Sequence, residues 1–310
     1  MLGNDYKIVM NKLRLGFILS GVLLMLISGS CSEDSVSNNK KDDGYRGIWY
    51  MNLPLKSEYK YKYSGGLGTY CAKHKPFAVY SDVVGKTFFC YGGTTKDSNQ
   101  NLVHMVSYYD HKKKIVPRPT ILMEKKTGDA HDNPVISMDD EGYIWIFSTS
   151  HGTERPSYIY RSKKPYNIDA FDLIDATRLE DGKEVPIANF SYFQAWHIPQ
   201  QGFVCFFSKY GLGSDRTICF IKSADGIKWS AWQVIAAVKK GHYQISGATG
   251  KKAASAFNYH PDQSSEVTDG SDYRTNLYYI ETNDLGDTWT GVRTETTTTA
   301  QGGQKRRPGA

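Results

Sequence analysis

The stretch AHDNPVISMDDEGYIWIFSTSHG, residues 130–152, carries His131 near one end and His151 near the other. Two apolar runs lie between them, split by the polar Asp139–Gly142 segment, which reads as strand, turn and strand. Histidine titrates near working pH and serves as general acid or base. Asp129, Asp132 and Glu154 lie close by in sequence, and Arg155 follows in HGTERPSY. Further candidates are Tyr192 in NFSYFQAWHIP, Lys209 in FFSKYG, His260 in NYHPD and His74 in AKHKP. Each has a plain structural reading beside the chemical one. Tyr192 is one of 22 tyrosines and could simply pack, Lys209 could be a solvated strand end, and the histidine pair could be a hydrogen-bonded residue and a turn residue.

The elements that must position these residues are strands. From Gly44 onward, short aromatic or β-branched runs such as KTFFCYGG, HMVSYYD, YIWIFSTS, FVCFFSKY and TNLYYIET alternate with Gly, Asp, Asn and Lys turns. With 13% aromatic residues in 310, the composition suits sheets, and the chain is long enough to bury a sizeable core. The expected class is all-β. TNDLGDTW, residues 282–289, has the Asp-box form S/T-x-D-x-G-x-x-W, and SADGIKW, residues 223–229, is a version one residue shorter. Such turns recur once per blade in several β-propellers, so a propeller of four-stranded blades is expected ahead of a sandwich or jelly roll. Their Asp and Gly are turn chemistry, not catalytic carboxylates.

The expected organisation has four parts. Residues 1–31 read as a secretory signal: Lys12 and Arg14 precede an apolar run that ends in small residues and Cys31. Met10 sits directly before this pattern and could be the true start. Residues 32–44 read as a polar linker, 45–292 as an incomplete propeller of about five blades, and 293–310 as a disordered basic tail unable to close a ring. The final Asp box stops in mid-blade, which favours a chain cut short, by a frameshift for example, over a five-bladed protein. Residues 1–30 carry Asp5 against Lys7, Lys12 and Arg14, so their removal takes the net charge from +6 to +4. That excess is compatible with an anionic ligand. The basic residues are scattered, and the one dense cluster, QKRRPGA, lies in the tail, so no nucleic-acid module is expected.

Four cysteines remain after Cys31: Cys71, Cys90, Cys205 and Cys219. Cys205 and Cys219 are equidistant from Leu212 in a candidate hairpin, where they could form a disulfide or remain two buried thiols. Thiols are favoured, because nothing else in the chain looks disulfide-stapled. No CxxC or zinc-knuckle spacing occurs.

The paired-histidine segment resembles the hallmark of the BNR-repeat (Asp-box) family of bacterial β-propellers, as do GYRGIWY, KHKPFAVYS, NFSYFQAWHIPQQGFVCFFSKY and AFNYHPD. The resemblance spans roughly residues 44–290 and implies seven blades in an intact member. Within that family it points to the ulvan-lyase branch of polysaccharide lyases, which act on rhamnose-glucuronate glycans. On that resemblance His131, His151 and Tyr192 would be catalytic and His260 would contact substrate; His74 in AKHKP and Arg155 in HGTERPSY are further candidates for substrate contact from the residues themselves. The family's expected Arg is replaced by Lys209, or the alignment slips and Arg216 serves. The N-terminus likewise resembles a bacterial lipoprotein signal, implying an outer-membrane lipoprotein at the cell surface or in the periplasm, or else a secreted protein, with the membrane reached only through a lipid on Cys31.

Elimination from a uronate needs the carboxylate's charge neutralised, a base for the C5 proton and an acid for the leaving oxygen. The expected activity is therefore lyase cleavage of an anionic polysaccharide or oligosaccharide. The alternatives are a rhamnosidase-like glycoside hydrolase, for which no carboxylate pair is readable, and a non-catalytic glycan-binding propeller. Sialidase is disfavoured, since the arginine triad and Arg-Ile-Pro signature are missing. No cofactor is required by the sequence, which leaves room for a structural divalent cation.

Overall fold

The computed structural model describes residues 37–46, 50–54, 61–65, 74–152, 155–210, 217–237, 243–259 and 275–292. The signal segment with Cys31, the tail 293–310, and Cys71, Glu154, Arg216 and His260 lie outside the described residues.

The chain is all-β. A two-stranded sheet of β1 (Tyr50–Pro54) and β2 (Tyr61–Gly65) comes first. The first four-stranded sheet follows: β3 (Ala78–Ser81), β4 (Lys86–Thr95), β5 (Ser98–Asp110) and β6 (Thr120–Glu124). The second contains β7 (Pro134–Met138), β8 (Ile144–Ser148), β9 (Tyr158–Ser162) and β10 (Phe171–Leu173). Two short strands, β11 (Thr177–Glu180) and β12 (Lys183–Pro186), pair with each other. The third sheet is built from β13 (Ser191–Ile198), β14 (Gly202–Lys209) and β15 (Thr217–Ser223). Its turn passes through β16 (Lys228–Trp229), which pairs in parallel with β11, before β17 (Gln233–Ala236) completes it. The fourth sheet comprises β18 (Gln244–Thr249), β19 (Lys252–Tyr259), β20 (Thr275–Thr282) and β21 (Thr290–Val292). Each of the four is an antiparallel meander, the build of a propeller blade. About five blades were expected; the described residues form four complete ones and the β1–β2 pair.

Strand alternation explains the core. In β8, Ile144 and Ile146 join a cluster with Phe88 and Val106 of the first blade, while Trp145 and Phe147 face Phe193, Phe203 and Trp229 of the third. In β14, Phe203, Cys205 and Phe207 face the second blade, and Val204 and Phe206 pack with Ala253 and Trp289 of the fourth. A strand buried on both faces must be apolar at every position, hence IWIF and FVCFF as unbroken runs.

Both Asp boxes form the turn between a blade's third and fourth strands. Asp225 Oδ1 accepts the backbone N–H groups of Ile227 and Lys228, each at 2.8 Å. Asp284 Oδ1 accepts that of Thr288 at 2.8 Å, and Gly286 N donates to Thr282 Oγ1 at 2.8 Å. Trp289 packs edge-on to Phe206 and Phe220, in the seam between blades.

Cys90, Cys205 and Cys219 are free and buried. Cys205 pairs with Ile221, and Cys219 with Phe207, so the two thiols sit diagonally and not opposite each other. Burial pushes the Cys219 thiol up to about 12. Within the segment read as a polar linker, Asn39 N donates to Asp169 O and Asp42 N to Pro119 O, so these residues pack along the first two blades.

Candidate functional site

The first strands of the blades, or the residues just before them, lie side by side. Ile136 N donates to Pro76 O, Lys75 N to Phe193 O, and Gln194 Nε2 to Gln244 O. In an antiparallel hairpin the start of the first strand lies beside the end of the second: Pro134 pairs with Ser148, and Ser191 with Ser208. Residues just before a first strand and just after a second strand therefore share one rim. His74, His131 and Tyr243 occupy the first kind of position, with Tyr192 at the start of β13 itself, and His151 and Tyr210 the second.

Asp129 organises the pair. Its Oδ1 accepts the His131 backbone N–H at 2.9 Å, closing a short turn into the 3-10 segment Ala130–Asp132, and also the His131 Nδ1–H at 2.6 Å. Its Oδ2 accepts the His151 Nδ1–H at 2.9 Å. A carboxylate only accepts, so each imidazole carries its proton on Nδ1 and its lone pair on Nε2, at the opposite ring edge. The rings stack with centroids 4.2 Å apart and planes 17° from parallel. Burial alone would raise the Asp129 carboxyl, but hydrogen bonds from His131 and His151 outweigh it and hold the group far below the ordinary carboxylate range.

A second carboxylate anchors the first. Asp132 is fully buried and takes Arg155 side-on, with Nε at 2.7 Å from Oδ2 and Nη2 at 3.2 Å from Oδ1. The same Nη2 reaches Asp129 Oδ2 at 3.3 Å. Lys125 approaches Asp132 at 3.7 Å and donates to Pro156 O at 2.9 Å. Desolvation is the main reason its ammonium is lowered to about 8. His104 Nε2–H donates to the Asp132 backbone carbonyl at 2.7 Å, and burial pulls this imidazole down. Two carboxylates are thus matched by Lys125 and Arg155, and any proton gained by His131 or His151 gives the cluster net positive charge.

The Tyr192 ring stands roughly perpendicular to those of His131 and His151, at 5.9 and 6.2 Å between centroids, and lies 5.6 Å from His74 and 5.4 Å from Tyr243. It occupies a β-bulge in β13, where Ser191 pairs with Ser208 but Gln194 with Phe206, leaving one extra residue. Its φ of 52° is left-handed, a conformation worth about 1–3 kcal/mol of strain in a non-glycine residue. A bulge turns a side chain away from the regular alternation, and here it aims Tyr192 at the histidines.

Five sequence-predicted residues therefore meet: His74, His131, His151, Arg155 and Tyr192. Arg155, expected to contact substrate, lies beneath the pair, tied to both carboxylates. Lys209 is not brought in. Its ammonium sits 3.3 Å from the centre of the Trp232 ring, near Arg178, and burial and then Arg178 lower it. Alternation is the cause: Lys209 points to the Trp232 side, and the next residue, Tyr210, comes to 5.9 Å from His151. Reading the rim positions from the strand pattern would have found Tyr210 and Tyr243; His104 and Lys125, contributed by the first blade, carry no such signal.

Asp129, His131 and His151 have ligand atoms within 4.8 Å of one another, a spacing that could hold a metal ion. A cation bound through Asp129 and the two Nδ1 atoms would displace both Nδ1 protons and face the Arg155 guanidinium, so in that arrangement the residues fit a hydrogen-bonded acid–base cluster better than a metal centre.

Two structures of a PL25 ulvan lyase, a polysaccharide lyase, are similar in fold. One has a TM-score of 0.57 at 17% identity; the other, bound to -[GlcA(1-4)Rha3S]-, has 0.58 at 17%. In both cases the alignment covers 81% of this chain and 57% of the lyase, so the chain spans under two thirds of those proteins' length. The polysaccharide lyase Uly1 aligns at 0.49 and 11% identity, over 82% of this chain and 64% of its own. No curated protein matches. The blade topology, the Asp boxes and the match of residues 84–305 to the pattern of BNR repeat-containing family members agree: the chain belongs to the BNR repeat-containing family.

Proposed function

We propose that the protein cleaves a uronate-containing polysaccharide by β-elimination at the His131/His151/Tyr192 cluster. The observation that carries this reading is the shared Asp129, which fixes two stacked imidazoles in one tautomer beside a tyrosine ring roughly perpendicular to both. In this reading the Nε2 of one imidazole or the Tyr192 oxygen takes the C5 proton, and a partner from the same set protonates the leaving O4 oxygen. The C5–H electron pair forms the C4–C5 double bond as the C4–O4 bond breaks. Positive charge gained on the second imidazole would offset the carboxylate, the task that Lys209 is not placed to perform. The similarity in fold to ulvan lyases, one of them bound to a glucuronate-rhamnose sulfate chain, supports an anionic glycan as the ligand. A hydrolase working through two carboxyl groups is less well served, because Asp129 and Asp132 are both committed to ion pairs.

The test is ultraviolet absorbance of the unsaturated uronate while the signal-free protein is incubated with uronate polysaccharides. Absorbance should rise, and His131→Ala, His151→Ala or Tyr192→Phe should slow it on the order of a hundredfold or more. New reducing ends without that absorbance would establish hydrolysis instead.

A further inference from the structure

The far ends of the first two blades enclose a cleft of about 250 Å³. It is lined by Lys41, Lys86, Tyr108, Arg118, Tyr166 and Asp169 among others. The histidine cluster is elsewhere. Lys86 opens β4, whereas Gly92, six residues along that strand, is the residue that approaches Asn133 beside Asp132. At about 3.3 Å per residue the two places are roughly 20 Å apart.

The charges in the cleft are unequally committed. Lys41 is paired with Asp169 at 2.8 Å and donates to Thr120 Oγ1 at 2.7 Å. That pair and the Asn167 amide settle Asp169, whose carboxyl is held below its ordinary range by Lys41 first and Asn167 next. Among the described residues no carboxylate forms an ion pair with Lys86 or Arg118. Lys86 is held 4.2 Å above the Tyr108 ring, and that ring is itself fixed edge-on to Phe88. Tyr166, at a left-handed φ of 53°, packs its ring against Gly142, where a Cβ would collide with it. Lys86, which faces Asp110 across the ladder and helps lower the Asp110 and Asp169 carboxyls without an ion-pair contact to either, thus lies with Arg118 beside two tyrosine rings whose positions are set, so little ordering cost attends binding.

We propose that this cleft is a second recognition site for an anionic glycan, taking one acidic sugar residue with its carboxylate or sulfate at Lys86 and Arg118 and its ring against Tyr108 and Tyr166. It rests on the reading that the protein acts on such a glycan, and because Lys86 opens a second strand it lies at the end of the strands opposite the histidine rim, where it would hold a distant portion of a long polymer. The shape suits one residue: the volume is below the ~300 Å³ at which pockets for larger ligands begin.

Calorimetric titration tests it, with an unsulfated polyuronate oligosaccharide and a sulfated uronate oligosaccharide as separate probes, and with turnover of the same polymers measured alongside. Lys86→Ala/Arg118→Ala should weaken binding on the order of tenfold, and should leave cleavage of short fragments unchanged while raising KM on long polymer. The probe whose affinity falls identifies carboxylate or sulfate as the group recognised. Wild-type turnover with unchanged affinity and KM in the double variant would overturn the cleft alone. No binding of either probe by the wild type would overturn this site together with the anionic-glycan reading. Tyr166→Phe, retaining the ring, should bind within a few-fold of wild type, so a fold defect would show itself separately.

Discussion

At the residue scale, Asp129 decides what the site can do. It holds the 3-10 turn, both Nδ1 protons and an edge of Arg155 with two oxygens. Asp129→Asn keeps the size but presents an NH₂ where one imidazole now donates, so that ring must flip its tautomer or lose its contact. Turnover should fall on the order of a hundred- to ten-thousandfold with the circular dichroism of the sheets unchanged. Equal turnover would remove Asp129 from the acid–base arrangement. That His131, His151 and Tyr192 would gather was suggested in sequence by the family resemblance more than by their types, since a lone Tyr among 22 or a His at a strand end reads equally well as packing. Asp129 was noticed only as a nearby carboxylate, since an Asp two residues before a His is commonplace until a second His arrives from across a hairpin. The neighbouring Lys209 shows the limit of such reading: a strand end offers two directions one residue apart, and nothing in FFSKYG says which faces the site.

At the element scale, what the sequence announced best was the blade. Alternating runs, turn residues and two Asp boxes foretold the strands and the turns between third and fourth strands, because those signals are local. The bulge at Tyr192 and the offset of Cys205 against Cys219 were not foretold, since register depends on a partner strand. The Asp-box glycines offer a test at this scale. A Cβ on Gly226 would come within 2.6 Å of Trp145, in the preceding blade, and its φ is +73°. Gly250 has a φ of +56° but nothing within 4 Å. Gly250→Ala should therefore cost only the backbone term, about 1–2 kcal/mol, and Gly226→Ala a further ~1–3 kcal/mol from overpacking. Denaturant unfolding of the two variants would measure the difference, and equal losses would show that Trp145 yields freely.

At the scale of the whole molecule, the site and the fold share their dependence on pH. The Asp129 carboxyl lies lower when folded than unfolded, so the unfolded chain binds the proton first. Its stabilisation is complete above the ordinary carboxylate value of about 3.9 and is lost as pH falls below it. Asp284, lowered to about 2 chiefly by Thr288 and then Thr282, acts in the same sense in an Asp box. Removing the donors to Asp129 in a His131→Ala/His151→Ala variant should make acid unfolding below pH ~4 less steep than in wild type. An unchanged acid limb would place the acid sensitivity elsewhere.

The glycine contacts carry one more consequence. Trp145 meets Gly226, and Phe220 meets Gly286, so each Asp-box turn is shaped by an aromatic ring that precedes it in the chain. A ribosome delivers residues in that same direction, and domains tend to fold as their N-terminal parts emerge. Both turns thus leave the exit tunnel after the rings that they pack against.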